Sequence, residues 1–281
     1  ARLTGIVAAV RGARDVARRT RGDDRRRVAR RYIDMNSTGH RSGRRGWRAL
    51  AKVAAVTLPL LVLCFFLYEA ATWPDVARLA KGMPQSTAFI ESYRERQKEA
   101  GRRAKVAWRP VPYARISAEL KLAVLVAEDI DFFSHHGFAV AELKKAVQEA
   151  WEEGEMPRGA STLSQQLAKN LWLSPSRNPL RKAKEALLTR SLEKHLAKRR
   201  ILELYLNVVE FAPGVYGAEA AAQRFFGKPA AGLSRPEAAA LAGGLPKPSK
   251  WHPGATSKVY LRRVERIAGR IERAAWLRGE I

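Results

Sequence analysis

The sequence holds a single cysteine, Cys64, and that one lies in an apolar run. A disulfide framework is therefore excluded, and so is a zinc site built on thiolates. Acidic residues are scarce beside basic ones: 27 Asp and Glu stand against 52 Lys and Arg, for a formal charge of +25. Such a balance calls for an anionic partner, whether nucleic acid, an acidic membrane surface or a phosphorylated substrate. Nothing repeats with a solenoid period, and no run alternates apolar and polar residues long enough to predict a strand. A wholly disordered chain is excluded by a hydrophobic content of 46% over 281 residues, enough for one packed domain and an appendage.

The charge is unevenly placed. As far as Arg48, 15 arginines stand against four aspartates, Asp15, Asp23, Asp24 and Asp34. Val53 to Tyr68 follows, sixteen residues without a charge, extendable back to Ala49 if Lys52 reaches toward the headgroups. Trp47 and Trp73 bracket this stretch where interfacial aromatics sit, so it predicts a transmembrane helix. A buried core helix rarely has so basic a flank, and no small-residue cleavage site follows, so a removed signal is not expected. The arginine excess on the N-terminal side predicts a cytoplasmic N-terminus and an outward main domain. That domain keeps 37 basic residues against 23 acidic ones, and its placement leaves membrane or phosphorylated substrate, not nucleic acid, as the anionic partner.

The organisation read from these patterns is a basic cytoplasmic tail over 1–48, a transmembrane helix over 49–72, a connector over 73–112 that packs on the main domain, and the main domain over 113–281. Periodicity predicts one helix around Ala88 to Gly101 and others near 117–130, 139–153, 161–173, 179–210, 215–226, 236–244 and 257–277, a mainly α fold. Ser117, Asn178-Pro179 and Arg235-Pro236-Glu237 supply start signals.

Three segments carry candidate chemistry. Leu120, Val124 and Ala127 form an apolar stripe, and Glu128 falls on its face, so its carboxyl is partly buried and its pKa raised toward that of a useful base. An isolated Glu-Asp at a helix end is ordinarily solvated surface. Here Asp129, Phe132, His135, His136 and Gly137 follow on one loop; two adjacent histidines without a third spaced ligand make a poor metal site. In the second segment Gly159 to Ser161 leads into a helix whose free amides suit an oxyanion. Leu163, Leu167 and Leu171 face the core there, leaving Thr162, Gln165, Gln166 and Lys169 as a row of donors for sugar hydroxyls or phosphate. Helical glutamines alone are usually just solvated. The third segment sets Arg177, Arg181, Lys182 and Lys184 around Glu185. As a plain exposed helix it would hold an Arg181–Glu185 pair worth roughly 0.2–0.5 kcal/mol. Glu185 continues into Leu188 and Leu192, however, which points it inward, and four cations together suit a diphosphate.

Taken in order, Glu-Asp-x-x-Phe-x-x-His-x-Gly from Glu128, Ser-Thr-x-x-Gln-Gln from Ser161 and Arg-Lys-x-x-Glu from Arg181 resemble the motifs of the peptidoglycan glycosyltransferase family. Lys198 to Asn207 and Glu237 to Gly243 are also similar, and the resemblance covers about Thr87 to Arg270. It implies a lysozyme-like, mainly helical glycosyltransferase domain that joins a growing lipid-linked glycan to lipid II through inverting β-1,4 transfer. Glu128 is then the general base. Lys169, Arg177 and Lys184 hold the donor diphosphate, and Glu185 is the second carboxylate, acting directly or through a divalent ion, Mg2+ or Mn2+. The other matching positions, Asp129, Phe132, His135, Ser161, Thr162, Gln165, Gln166, Asn170, Arg181 and Lys182, are expected to bind substrate. No organic cofactor is implied; other cell-wall synthesis or division proteins are expected partners. Ala212-Pro213 departs from the family's glycine-rich turn, which puts the turn geometry there in question. The chain ends soon after the resembling region, and Lys247 to Pro253 looks like the monofunctional form, so no transpeptidase domain is expected. Two rivals remain. A lytic transglycosylase or lysozyme shares the fold but has no need of the cation cluster, and a lipid-binding scaffold has no need of inward glutamates.

Overall fold

A computed structural model describes residues 30–31, 52–138, 161–174 and 179–281. The chain divides into two units, Ala1–Trp73 and Pro74–Ile281. In the first, α1 runs over 52–71. Twenty residues at about 1.5 Å each make a rod of roughly 30 Å, the thickness of a bilayer's hydrocarbon layer. Its leucines, valines and phenylalanines are all exposed, as on a helix whose solvent is lipid. Pro59 lies inside it, and Thr57 returns a hydroxyl bond to the Val53 carbonyl at 3.0 Å.

The second unit is helical around one buried rod. α3 (Ala118–Glu128) starts where Ser117 accepts the Leu120 amide, and Leu120 to Val126 are buried without a break. A helix apolar all round must be enclosed. Here α8 (Arg235–Gly244) and α9 (Lys258–Arg273) pack against it. Beside them, α4 (Leu163–Trp172) packs on α2 (Ala88–Glu99), α5 (Pro179–His195) and α6 (Lys198–Val208), and α7 (Ala218–Phe226) completes the set. The expected helix over 139–153 lies outside the described residues, as does most of the expected tail.

Three sequence expectations are corrected. The single helix over 179–210 is two, because Ala197 is extended and the chain bends between His195 and Lys198. The bend lets both Leu188 and Leu192 on α5 and Ile201 and Tyr205 on α6 enter the core. Neither glycine nor proline marks it, and His195 caps α5 by donating from its ring to the Ser191 carbonyl at 2.8 Å. Strands do exist: β1 (Ala107–Trp108) pairs parallel with β3 (Val215–Tyr216), which pairs antiparallel with β2 (Glu210–Ala212). At two or three residues each they are too short to alternate. The helix expected from 215 consequently starts at Ala218.

The hairpin turns at Pro213-Gly214 with Gly214 at φ +77°, so one glycine suffices where the family uses more. Gly217, at φ +80°, lets the chain leave β3 against the end of α6: a Cβ there would stand 2.5 Å from the Asn207 carbonyl oxygen. Asn207 is fully buried. Its amide donates to the carbonyls of Val111 and Glu203, its Oδ1 accepts the Val111 amide, and its carbonyl accepts the Trp108 indole N–H at 2.7 Å. The connector is thereby fastened to α6, and Arg200 fastens its beginning through the carbonyls of Leu79 and Gly82.

Gly217→Ala should destabilise the protein by about 3 kcal/mol, since strain and a backbone clash add. Gly227→Ala, at φ +64° with nothing within 4 Å, should cost only about 1 kcal/mol. Thermal unfolding of the two variants measures the difference, and equal shifts would contradict this account of the hairpin.

Candidate active site

Glu128 is the last residue of α3, and the stripe of Leu120, Val124 and Ala127 carries it onto the buried face, with 13% of its side chain exposed. One carboxylate oxygen accepts from Gln166 Nε2 of α4 at 3.1 Å, and the other from the Arg263 guanidinium of α9 at 2.8 Å. The Tyr205 hydroxyl on α6 donates to Gln166 Oε1 at 3.0 Å, which fixes which way that amide points. Burial pushes the Glu128 carboxyl above its ordinary pKa. The Gln166 bond and the charges of Arg263 and Lys169 pull it down, and burial prevails. Burial together with Glu128 and Asp129 holds the Tyr205 hydroxyl well above its ordinary value, so it stays a donor.

Asp129, also buried, faces the other way. Its carboxylate accepts the Leu163 backbone N–H at 2.9 Å, a free amide of the first turn of α4, and a bond from His135 Nε2 at 2.9 Å. The Gly137 amide donates to His135 Nδ1, so both ring nitrogens are engaged within the fold. Thr162 and Gln165 form a capping box at the same helix start, and the Thr162 hydroxyl donates to the Gly137 carbonyl at 2.7 Å. The Thr162 hydroxyl and the Gln165 carbonyl oxygen, on residues expected to bind substrate, thus serve the start of the helix. Phe132 is buried in the core under Lys198, whose Nζ lies 4.5 Å from the ring centroid. Ser161 stands exposed at the mouth of α4, and Asn170 is buried.

Lys169 lies one turn beyond Gln165 and Gln166 on α4. Burial lowers its pKa, Glu185 and Glu128 raise it, and Arg181 and Lys182 lower it, so the ammonium stands within the influence of both carboxylates. Glu185 is 3% exposed on the α5 stripe with Leu188 and Leu192, inward as its spacing predicts. Arg181 donates to one of its oxygens at 3.1 Å and Lys182 to the other. The Arg181 Nε is buried with no partner among the described residues. Lys184 is half-buried on the same helix, whereas Arg177 lies outside the described residues.

Among the described residues no three acidic, histidine or cysteine side chains gather to hold a metal. A divalent ion at Glu185 would meet one carboxylate whose oxygens already serve two cations, with Lys169 close by. That donor set does not fit a hard dication, which wants several free oxygens.

Sequence reasoning missed Arg263 and Tyr205. Arg263 lies three residues after Tyr260 and four before Ile267, both buried, so an arginine on an apolar stripe was its only signal. Nothing local could pair it with a glutamate 135 residues away.

A family model described as Transglycosylase matches residues 77–272. The chain is similar to a protein of Thiobacillus denitrificans named biosynthetic peptidoglycan transglycosylase, 45% identical over 78% of this chain and 92% of that one. Proteins of the same name from Azoarcus sp. and Neisseria gonorrhoeae are each 41% identical, over 82% and 69% of this chain and 96% and 82% of theirs.

Asp129→Ala should lower stability by about 2 kcal/mol by leaving the Leu163 amide and His135 without their acceptor. Faster amide exchange at Leu163 should accompany the drop in unfolding temperature. A variant of unchanged stability and exchange would instead assign Asp129 to substrate alone.

Proposed function

Because the chain belongs to the transglycosylase family, whose curated relatives are named for peptidoglycan biosynthesis, we propose how its residues polymerise lipid II. The protein is a glycosyltransferase of peptidoglycan synthesis, extending glycan strands and associated with the membrane. The observation that carries the residue assignment is Glu128, buried enough to raise its proton affinity and aimed by two donors from other helices.

In this reading Glu128 accepts the proton of the acceptor's sugar 4-hydroxyl as that oxygen attacks the anomeric carbon of the donor strand. Burial makes the carboxylate a stronger base, while Gln166 and Arg263 hold it in one orientation. The bond to the lipid diphosphate breaks from the opposite face, inverting the anomeric centre. Lys169, Arg181, Lys182 and Lys184, with Arg177, offset the charge that collects on the leaving diphosphate. Glu185 orders Arg181 and Lys182, and with its oxygens so used the step is derived without a metal. A hydrolase acting on uncharged glycan would gain nothing from these cations, which favours polymerisation over cleavage. The arginine-rich flank before α1 further supports a cytoplasmic N-terminus and an outward catalytic domain.

Purified full-length protein with labelled lipid II should yield long glycan strands; shortened glycan or no turnover would refute the reading. Glu128→Gln keeps shape and removes the base, so polymerisation should fall by about 10²–10⁴-fold with the fold intact. A base works only when ionised, so a raised pKa means activity is lost, as pH falls, at a pH above the ordinary carboxylate range. Arg263→Ala removes a charge that favours the ionised form and should move this acid limb to still higher pH. An unmoved limb would detach Arg263 from the base. Orientation is checked by protease added to sealed cells stripped of their wall: the domain after Trp73 should be digested, and its protection would reverse the topology.

A further inference from the structure

Among the described residues the Lys169 ammonium of α4 has neither an ion pair nor a hydrogen bond. Glu185 on α5 and Glu128 on α3 attract it from beyond pairing distance. Arg181 and Lys182 already occupy the first of these carboxylates, and Gln166 and Arg263 the second. What meets the ammonium is an aromatic ring. Phe89 of α2 has its ring centroid 5.8 Å from Lys169 Nζ, inside the roughly 6 Å over which a cation is drawn to the negative face of a ring.

The backbone behind this ring is fixed. Thr87 caps α2 by accepting the Ile90 amide at 3.1 Å, and Ile90 is fully buried. The Tyr216 hydroxyl on β3 donates to the Phe89 carbonyl at 3.4 Å. One turn further along α2, Tyr93 packs edge to face on Tyr216 with ring centroids 6.3 Å apart, and α2 itself lies against α4. Phe89 is thus tied to the hairpin through its main chain, while its side chain stays half-buried beside Lys169.

A lysine that receives a diphosphate must be charged, aimed and uncommitted. The lysine stem is flexible, and burial together with Arg181 and Lys182 works against the charge of Lys169. A carboxylate at bonding distance would aim the ammonium but would also cancel its charge and compete with the diphosphate. A ring attracts the ammonium while carrying no net charge, so the full charge remains for the substrate, and N–H groups directed away from the ring stay free to donate. We propose that Phe89 is a positioning residue for the transfer, its ring holding the Lys169 ammonium where the donor diphosphate arrives. The proposal rests on the assignment of Lys169 to that diphosphate.

Full-length protein in lipid nanodiscs provides the test, with Phe89 replaced in turn by 4-fluoro-, 3,4,5-trifluoro- and pentafluorophenylalanine. Fluorine drains the negative face of the ring at nearly constant size, so the unfolding temperature should hold along the series. The Lys169 ¹³Cε resonance, assigned by its loss in Lys169→Arg, reports the titration of the ammonium without substrate. A weaker ring favours the charged form less, so the midpoint should fall stepwise with fluorination. Glu185 and Glu128, which raise it, and Arg181 and Lys182, which lower it, are the same throughout, and Tyr205 on α6 stays protonated. The kcat/KM for labelled lipid II should fall in the same order, by about three- to tenfold at the end of the series, with Phe89→Leu close to that end. A midpoint unmoved by fluorination, or full polymerisation while the midpoint falls, would overturn the proposal. So would a loss in Phe89→Leu that no fluorinated ring shares, since bulk alone would then explain it. An unaltered chain that makes no glycan would refute the reaction itself, a failure distinct from an unmoved midpoint.

Discussion

The carboxylate of Asp129 is the contact on which the site's geometry turns. It accepts hydrogen bonds from a free amide in the first turn of α4 and from the His135 ring, so one side chain fixes where α3 ends, where α4 begins and where His135 sits. A buried carboxylate is costly without such donors and firmly placed with them. Glu128 precedes it by one residue and Gln166 follows Leu163 by three, so joining Asp129 to Leu163 also brings the Glu128 carboxylate to the Gln166 amide that aims it. The capping box of Thr162 and Gln165 and the hydroxyl bond from Thr162 to Gly137 close the same junction from the other side.

Around that junction two opposed electrostatic effects are set against each other. Burial raises the proton affinity of Glu128 and lowers that of Lys169, while each charge partly restores the ionised form of the other. For a group meant to take a proton near neutrality, a net upward shift is the useful outcome. Arg263 limits the shift and orients the carboxylate. On α5 the arrangement differs: Glu185 pairs with both Arg181 and Lys182. The Glu128 carboxylate of α3 and the Glu185 cluster of α5 thus both act on the Lys169 ammonium of α4, which stands within the influence of each.

Local sequence periodicity revealed much of this arrangement. Val124 and Leu188 suffice to place Glu128 and Glu185 on inward faces, because a helix carries residues four or three apart on one side. The apolar helix over 52–71, compatible with a membrane anchor, also lies where length and hydropathy place it. Other features depend on contacts between distant residues. Arg263 meets Glu128 across 135 positions, Tyr205 meets Gln166 across 39, and the strands exist only because Trp108 and Tyr216 are brought side by side. Thr162 and Gln165 were read as substrate donors, and the same three-residue spacing also suits the capping box that they form at the start of α4. The bend at Ala197 has no local cause, since packing on both sides of it produces it.

The central claim is that Glu128 is a carboxylate whose burial outweighs its cationic neighbours. Its titration can be followed directly by the ¹³C shift of its side-chain carboxyl in the full-length protein, assigned by comparison with Glu128→Gln. A midpoint clearly above the ordinary glutamate value of about 4.3 is predicted. A midpoint at or below that value would show that Arg263 and Lys169 prevail over burial, and would remove the physical basis for Glu128 as the base.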